Sequence, residues 1–241
     1  MGSPGGVGST EPPSRVGAGF AGAGGEIWNK RAERYRMSPV HAAGPDLDTV
    51  VEMCDPQPGL KVLDVATGGG HVARRLREAG AEVVTVDPAP GMQPDVIAPA
   101  EHLPFADGSF DVVVNRLAAH HFRSIGDAVG EMARVSNSVL VIEDHRYTDE
   151  ETEQAEKLRD PSHVRSLSEE EWRELIESAA FELERVEIYE MPLDFESWLA
   201  RTDTPEVDQP RIRGLLRPLS SADGSTWTSP IIILKARKSQ R

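Results

Sequence analysis

From Lys61 onward, short runs that are apolar along most of their length alternate with stretches whose apolar positions recur every three or four residues. "KVLDVA", "EVVTVD", "FDVVVNR" and "SVLVIED" are the apolar runs, and each predicts a strand. A strand apolar at successive positions is buried on both faces, which is the signature of a parallel sheet covered by helices. "DVIAPAE" predicts a shorter strand between the second and the fourth. Helical periodicity falls between them, in "HVARRLREAG", stopped by Gly80, and in "SIGDAVGEMARV". Strand, helix, strand repetition predicts a doubly wound α/β fold.

Upstream, "EIWNKRAERYRM" and "PDLDTVVEMCD" predict two helices, the second with Leu47, Val50, Val51 and Cys54 on one face. Downstream, "DEETEQAEKLRD" predicts a charged helix, and "SEEEWRELIESAAF" one opened by a Ser168–Glu171 capping box. "ELERVEIYEM" reads as a sixth strand, "DFESWLAR" and "DQPRIRGLLRPL" as short helices, and "TWTSPIIILKAR" as the last strand. Residues 1–22 are Gly, Pro and Ser with few large side chains, a composition expected to stay disordered. One domain is expected over 23–241, with N-terminal helices at about 26–55.

Composition narrows the function. The 241 residues are 39% hydrophobic, enough for one α/β core. Lys and Arg number 26 against 40 Asp and Glu, a net charge of -14 that argues against nucleic acid or an anionic membrane as partner. The single cysteine, Cys54, leaves no disulfide framework and no cysteine-based zinc site. No apolar run reaches the length of a membrane span and no signal-peptide core opens the chain, so the cytoplasm is the expected compartment.

The chemistry concentrates in "LDVATGGGH", Leu63 to His71. A phosphate-binding P-loop needs Lys and Ser or Thr after the last glycine, and His71, Val72 and Ala73 stand there instead. The dinucleotide fingerprint fits through Gly68, Gly70 and Ala73, with Asp87 about 20 residues on. The third reading is S-adenosylmethionine, which asks for an acid at the end of each of the first two strands, and Asp64 and Asp87 supply both. A pyrophosphate would be opposed by Asp64, whereas the cationic methionine end of S-adenosylmethionine is attracted by it. Asp87 suits the two ribose hydroxyls, which a carboxylate accepts together.

"AEHLPFADGSFDVVVNRLAAHHF", Ala100 to Phe122, resembles the third and fourth strand region of class I methyltransferases, most closely the ubiquinone/menaquinone-type small-molecule branch. The resemblance extends to "RYRMSPVHAAGPDL" upstream and to "EKLRDPSHVRSLSEEEW" and "DFESWLART" downstream. It implies a Rossmann-like α/β sheet of seven mostly parallel strands in the order 3-2-1-4-5-7-6, strand 7 antiparallel, with S-adenosylmethionine over the C-terminal ends of strands one, two and four. Asp64, Ala66, Gly68 and Gly70 match the strand-one loop, Asp87 the ribose acid, and Met92 the residue that packs on the adenine. Ala100 and Glu101 match the segment edging the adenine, and Arg116 a position near the methionine moiety. Two departures bear on adenine recognition. Pro99 stands where relatives commonly carry Asp, and "PAPGMQP" is too short and proline-rich for the helix usual there.

The expected activity is methyl transfer from S-adenosylmethionine to an oxygen, nitrogen or carbon nucleophile of a small molecule. The alternatives are a non-catalytic S-adenosylmethionine sensor or partner protein and, more distantly, an NAD(P)-dependent oxidoreductase. His120 and His121 follow strand four and are the candidate general bases. Tyr35, His41, His145 and His163 are candidates for the acceptor pocket. Insertions at about 145–167 and 191–225 leave the ligand edge of the sheet and are expected to form a cap. No His-x-x-x-His or similar spacing occurs, so no metal is expected. The sequence carries no signal for oligomeric state.

Overall fold

The computed structural model describes residues 23–239, and the expected disordered tail, 1–22, lies outside them. Three helices come first: α1 (Ala23–Arg36), the four-residue α2 (Pro39–Ala42), which the hydrophobic pattern did not signal, and α3 (Pro45–Cys54). The alternating core follows as β1 (Lys61–Val65), α4 (His71–Glu78), β2 (Glu82–Asp87), β3 (Val96–Ile97), β4 (Phe110–Arg116), α5 (Ile125–Val135) and β5 (Ser136–His145). The last third runs through α6 (Glu150–Arg159), α7 (Glu169–Ser178), β6 (Phe181–Asp194), α8 (Phe195–Arg201), α9 (Gln209–Leu215) and β7 (Thr226–Lys238).

The seven strands form one sheet in the order β3-β2-β1-β4-β5-β7-β6. The β1–β5 pairings are all parallel, and β7 runs antiparallel to both β5 and β6. The central strands are apolar on both faces because both faces are covered. Leu63, Val113, Leu140 and Leu234 pack into one core with Met132, Trp172 and Ile176 from α5 and α7. Val62, Val112, Val141 and Ile233 pack into the other with Leu47, Leu76, Trp198 and Ile212 from α3, α4, α8 and α9. Side chains of a strand alternate between faces, so consecutive valines of β4 serve different cores.

The helix starts carry their expected chemistry. The Ser168 hydroxyl accepts the Glu171 N–H, and the Glu171 carboxylate accepts the Ser168 N–H, so the capping box closes in both directions. Between β2 and β3 the chain makes a single 3₁₀ turn, Pro90–Met92, in place of a helix. β3, at that edge of the sheet, is two residues long. No helix among the described residues is long and apolar enough to cross a membrane.

Candidate functional site

The turn after β1 uses left-handed backbone three times, at Ala66 (φ 54°), Gly68 (φ 50°) and Gly70 (φ 71°). Glycine takes this conformation without strain, whereas Ala66 holds it at a cost, a state typical of functional turns. The turn folds against the end of β2: Thr67 N–H donates to Val86 O (3.1 Å), and Gly68 N–H to Asp87 Oδ2 (3.0 Å). Asp87 Oδ1 also accepts the Ala89 N–H (2.8 Å), and Asp64 accepts the Thr67 hydroxyl (2.6 Å). Burial pushes both carboxyls, Asp64 and Asp87, up to about 6 in spite of these bonds. Two acids in a dry wall without a cationic partner favour a ligand that brings positive charge or hydroxyl donors.

A cavity of about 490 Å³ opens above this turn, over the C-terminal ends of β1, β2 and β4. Asp64, Ala66, Gly68, Asp87, Met92, Ala100, Glu101 and Arg116 all line it. Gly70 does not; it sits at the N-terminus of α4, with its carbonyl accepting the Arg74 N–H. Tyr35 and His41 line the cavity from the N-terminal side, and Trp28 joins them. Gly69, for which neither fingerprint has a role, also lines the cavity. A Cβ there would lie 2.6 Å from His71 Nε2 and 2.8 Å from Tyr35 O, so only glycine lets α1 come down on the loop. The signal was the third glycine in the row, one more than either nucleotide fingerprint requires.

α1 closes one side of the cavity. It buries Ala32 against Ala89 and Met92, a small cluster separate from the two main cores. Polar ties add to it: Gly91 N–H donates to Asn29 Oδ1 (2.6 Å), and Tyr35 O lies 3.0 Å from His71 Nε2. A carbonyl only accepts, so His71 carries its proton on Nε2 and presents Nδ1 as an acceptor without a protein partner.

Arg116 is committed more heavily than its sequence position suggested. Its side chain is 6% exposed and held between Asp46 of α3 and Glu143 of β5. Nε donates to Glu143 Oε2 (2.9 Å), and Nη1 to His41 O (3.1 Å). Burial pushes the Glu143 carboxyl up to about 8, although Arg116 opposes the shift.

The two adjacent histidines separate. They lie on a 3₁₀ turn, Ala119–His121, whose successive side chains point about 120° apart. His120 faces inward; its Nδ1 pairs with Asp144, and its backbone N–H donates to Asp144 Oδ2 (2.7 Å). His121 faces the cavity, with Trp28 packed edge-on at 4.6 Å. Burial, reinforced by its histidine neighbours, keeps each ring well below the usual histidine range and therefore neutral at pH 7.

His145 and His163 do not line the cavity. Their rings stand 4.6 and 5.2 Å from that of His120, one layer behind the wall. His145 Nδ1 is bonded to Ser229 Oγ (3.0 Å), and His163 Nε2 to Glu153 Oε2 (3.2 Å). Neither stretch, 145–167 or 191–225, contributes a side chain to the cavity wall; they reach it from behind, through His145 and His163 against His120 and through Asp160 and Thr202 against Arg31 of α1. Among the described residues no group of three or more His, Cys, Asp or Glu is arranged to hold a metal ion.

The family described as "Methyltransferase domain" matches residues 63–139, from the middle of β1 into β5. The chain is 32% identical over 200 residues to the uncharacterized methyltransferase YcgJ of Bacillus subtilis, spanning 74% of this chain and 79% of that one. The crystal structure of YcgJ superposes with a TM-score of 0.74 at 26% identity, covering 81% of this chain and 99% of that one. The ubiquinone biosynthesis O-methyltransferase of Azorhizobium caulinodans is 30% identical over 165 residues, 56% of this chain and 62% of that one.

Proposed function

This chain belongs to the class I S-adenosylmethionine-dependent methyltransferases, and from that premise we propose that it methylates a hydroxyl oxygen of a small molecule, with the donor and the acceptor sharing the 490 Å³ cavity. The non-catalytic and nicotinamide readings are not favoured. The observation that carries the acceptor assignment is His121, a neutral imidazole on the cavity wall with Nδ1 bonded to Ser162 O (3.1 Å). Its Nε2 then offers a lone pair to an acceptor hydroxyl.

The residues present fit S-adenosylmethionine. Buried Asp64 suits an ammonium, Asp87 suits ribose hydroxyls, and the wall that carries them has no cation placed for a pyrophosphate. Arg116 is already bonded to two acids. When bound, S-adenosylmethionine supplies a methyl group on a sulfonium already activated for displacement. The protein's share is alignment, exclusion of water by α1, and removal of the acceptor proton. Met92, Ala100 and Glu101 line the same cavity and would edge the adenine.

A labelled-methyl screen across small phenols, alcohols, amines and carbon nucleophiles tests the acceptor class directly. Methyl groups found only on nitrogen or carbon would overturn the oxygen assignment. For the donor site, Asp87→Ala is expected to weaken S-adenosylmethionine at least about tenfold. Hydrogen bonds to a charged group contribute about 1.5–3 kcal/mol, and tenfold corresponds to about 1.4. Unchanged affinity by calorimetry would remove Asp87 from the site.

The raised carboxyls also set a pH dependence. Their folded values, about 6, lie above the ordinary aspartate value, so the penalty of charging them in the free protein sets in as pH rises through about 6. A ligand that needs them ionised binds best above that value. S-adenosylmethionine affinity is therefore expected to hold between pH 7 and 8 and to fall as pH drops below about 6. The ligand-induced rise in melting temperature, measured at pH 5 and pH 7.5, should be smaller at pH 5.

A further inference from the structure

His121 Nδ1 lies within hydrogen-bond distance of two oxygens on one residue, Ser162 O at 3.1 Å and Ser162 Oγ at 3.2 Å. The serine hydroxyl has spent its own proton elsewhere. It donates to Asp160 Oδ1 at 2.7 Å, and the Ser162 N–H donates to the same oxygen at 2.9 Å. Asp160 is 1% exposed, and its charge is matched by Arg31 of α1, whose Nη1 reaches both carboxylate oxygens at 3.0 and 2.9 Å. Burial opposes ionisation there, yet the Ser162 bonds and Arg31 hold Asp160 below the usual carboxylate range. Arg31 is fixed in turn by Thr202 O (2.9 Å), in the segment after α8.

We infer that Asp160 is a positioning residue that acts through Ser162 to fix the tautomer of His121, and that docking of α1 through Arg31 completes the set. Asp160 takes the serine proton, so Ser162 Oγ is left as an acceptor facing Nδ1. The serine carbonyl is an acceptor by nature. With two acceptors against it, Nδ1 must carry the ring proton, and Nε2 keeps its lone pair. When an acceptor O–H breaks, its proton moves to Nε2 and the electron pair stays on the acceptor oxygen. The imidazolium so formed lies near the buried negative charge of Asp160. His120 and His163 flank it, their ring centroids 4.0 and 6.5 Å from that of His121, and Arg31 is the cation paired with Asp160. The same α1 helix lays Trp28 against His121, so an undocked α1 leaves the ring without its aromatic neighbour and Asp160 without its cation.

This inference rests on the reading of His121 as the base, but its test does not use turnover. Nitrogen-15 NMR of the histidine-labelled, ligand-free 241-residue chain at pH 7.5 reports which ring nitrogen is protonated. The wild-type His121 signal is expected to be that of the pure Nδ1–H tautomer. In Asp160→Asn the amide can donate to Ser162 Oγ and release the serine proton toward Nδ1, so an Nε2–H population should emerge. Ser162→Ala, which keeps the carbonyl, should retain the Nδ1–H form. A wild-type signal showing Nε2–H, or an Asp160→Asn signal unchanged in folded protein, overturns the assignment. If Asp160→Asn fails to fold with Arg31 uncompensated, the neutral pair Arg31→Gln with Asp160→Asn takes its place, and the wild-type signal decides on its own. Full turnover in His121→Ala would instead sink the base reading and leave the tautomer assignment standing.

Discussion

His121→Ala is expected to lower turnover on a hydroxyl acceptor by about 10²–10⁴-fold, the usual range for loss of a positioned general base. Donor affinity should change far less, because the donor contacts proposed here come from Asp64, the glycine turn and Asp87 rather than from the 3₁₀ turn of His121. The ring is neutral at pH 7 and held well below the usual histidine range, first by burial and then by the charge His120 would add. Its competence as a base is therefore retained at neutral pH and lost only on acidification. His120→Ala acts differently. It strips buried Asp144 of its imidazole partner, so its first consequence is lost stability, with turnover following the fraction folded. Steady-state kinetics on both variants, with calorimetry for the donor, separates the two histidines. If His121→Ala keeps full turnover on a hydroxyl acceptor, alignment alone accounts for the rate.

Arg116→Leu is expected to destabilise the ligand-free protein by about 3–5 kcal/mol, since removing one partner strands buried charge. For a domain of this size that is a fall in melting temperature on the order of 10 °C. Asp46 and Glu143 are both buried, and the arginine is the cation that bonds both. The loss should grow with pH. Without the guanidinium that opposes its rise, the Glu143 carboxyl shifts further up, and a group raised in the fold contributes stability at low pH that disappears as pH rises through its folded value. Denaturant melts at pH 5 and pH 8 check the sign. If Arg116 served mainly as a ligand contact, the variant would keep its stability and lose donor affinity instead.

The strands and the first-turn chemistry were legible in the sequence because they are local. An apolar run such as "FDVVVNR" needs no distant partner to say that both its faces are covered, and β4 follows it from Phe110 to Arg116. The Ser168–Glu171 capping box closes within four residues. Asp64, Gly68 and Asp87 are set by the ends of two adjacent parallel strands, so strand placement brought them to one cavity, whereas Met92, Ala100, Glu101 and Arg116 were expected there through resemblance to a family. The sheet order was likewise foreseen, through resemblance to a family rather than through periodicity.

What the sequence left open depends on residues far apart in the chain. "HH" states two identical side chains; only the 3₁₀ turn at Ala119–His121 sends one to Asp144 and the other to the cavity. Arg116 could be read as a ligand contact until α3 delivered Asp46 from 70 positions away and β5 delivered Glu143. His145 and His163 carry the right chemistry for an acceptor pocket, yet β5 and the turn after α6 set them behind His120, where Ser229 and Glu153 take their nitrogens. Asp160 gave no sign at all, because its partners are a backbone turn of its own loop and Arg31, 129 residues upstream. Periodicity and spacing describe what a segment does by itself. Tautomers, ion pairs and the choice between two neighbouring rings are fixed by which groups share a buried volume, and packing alone decides that.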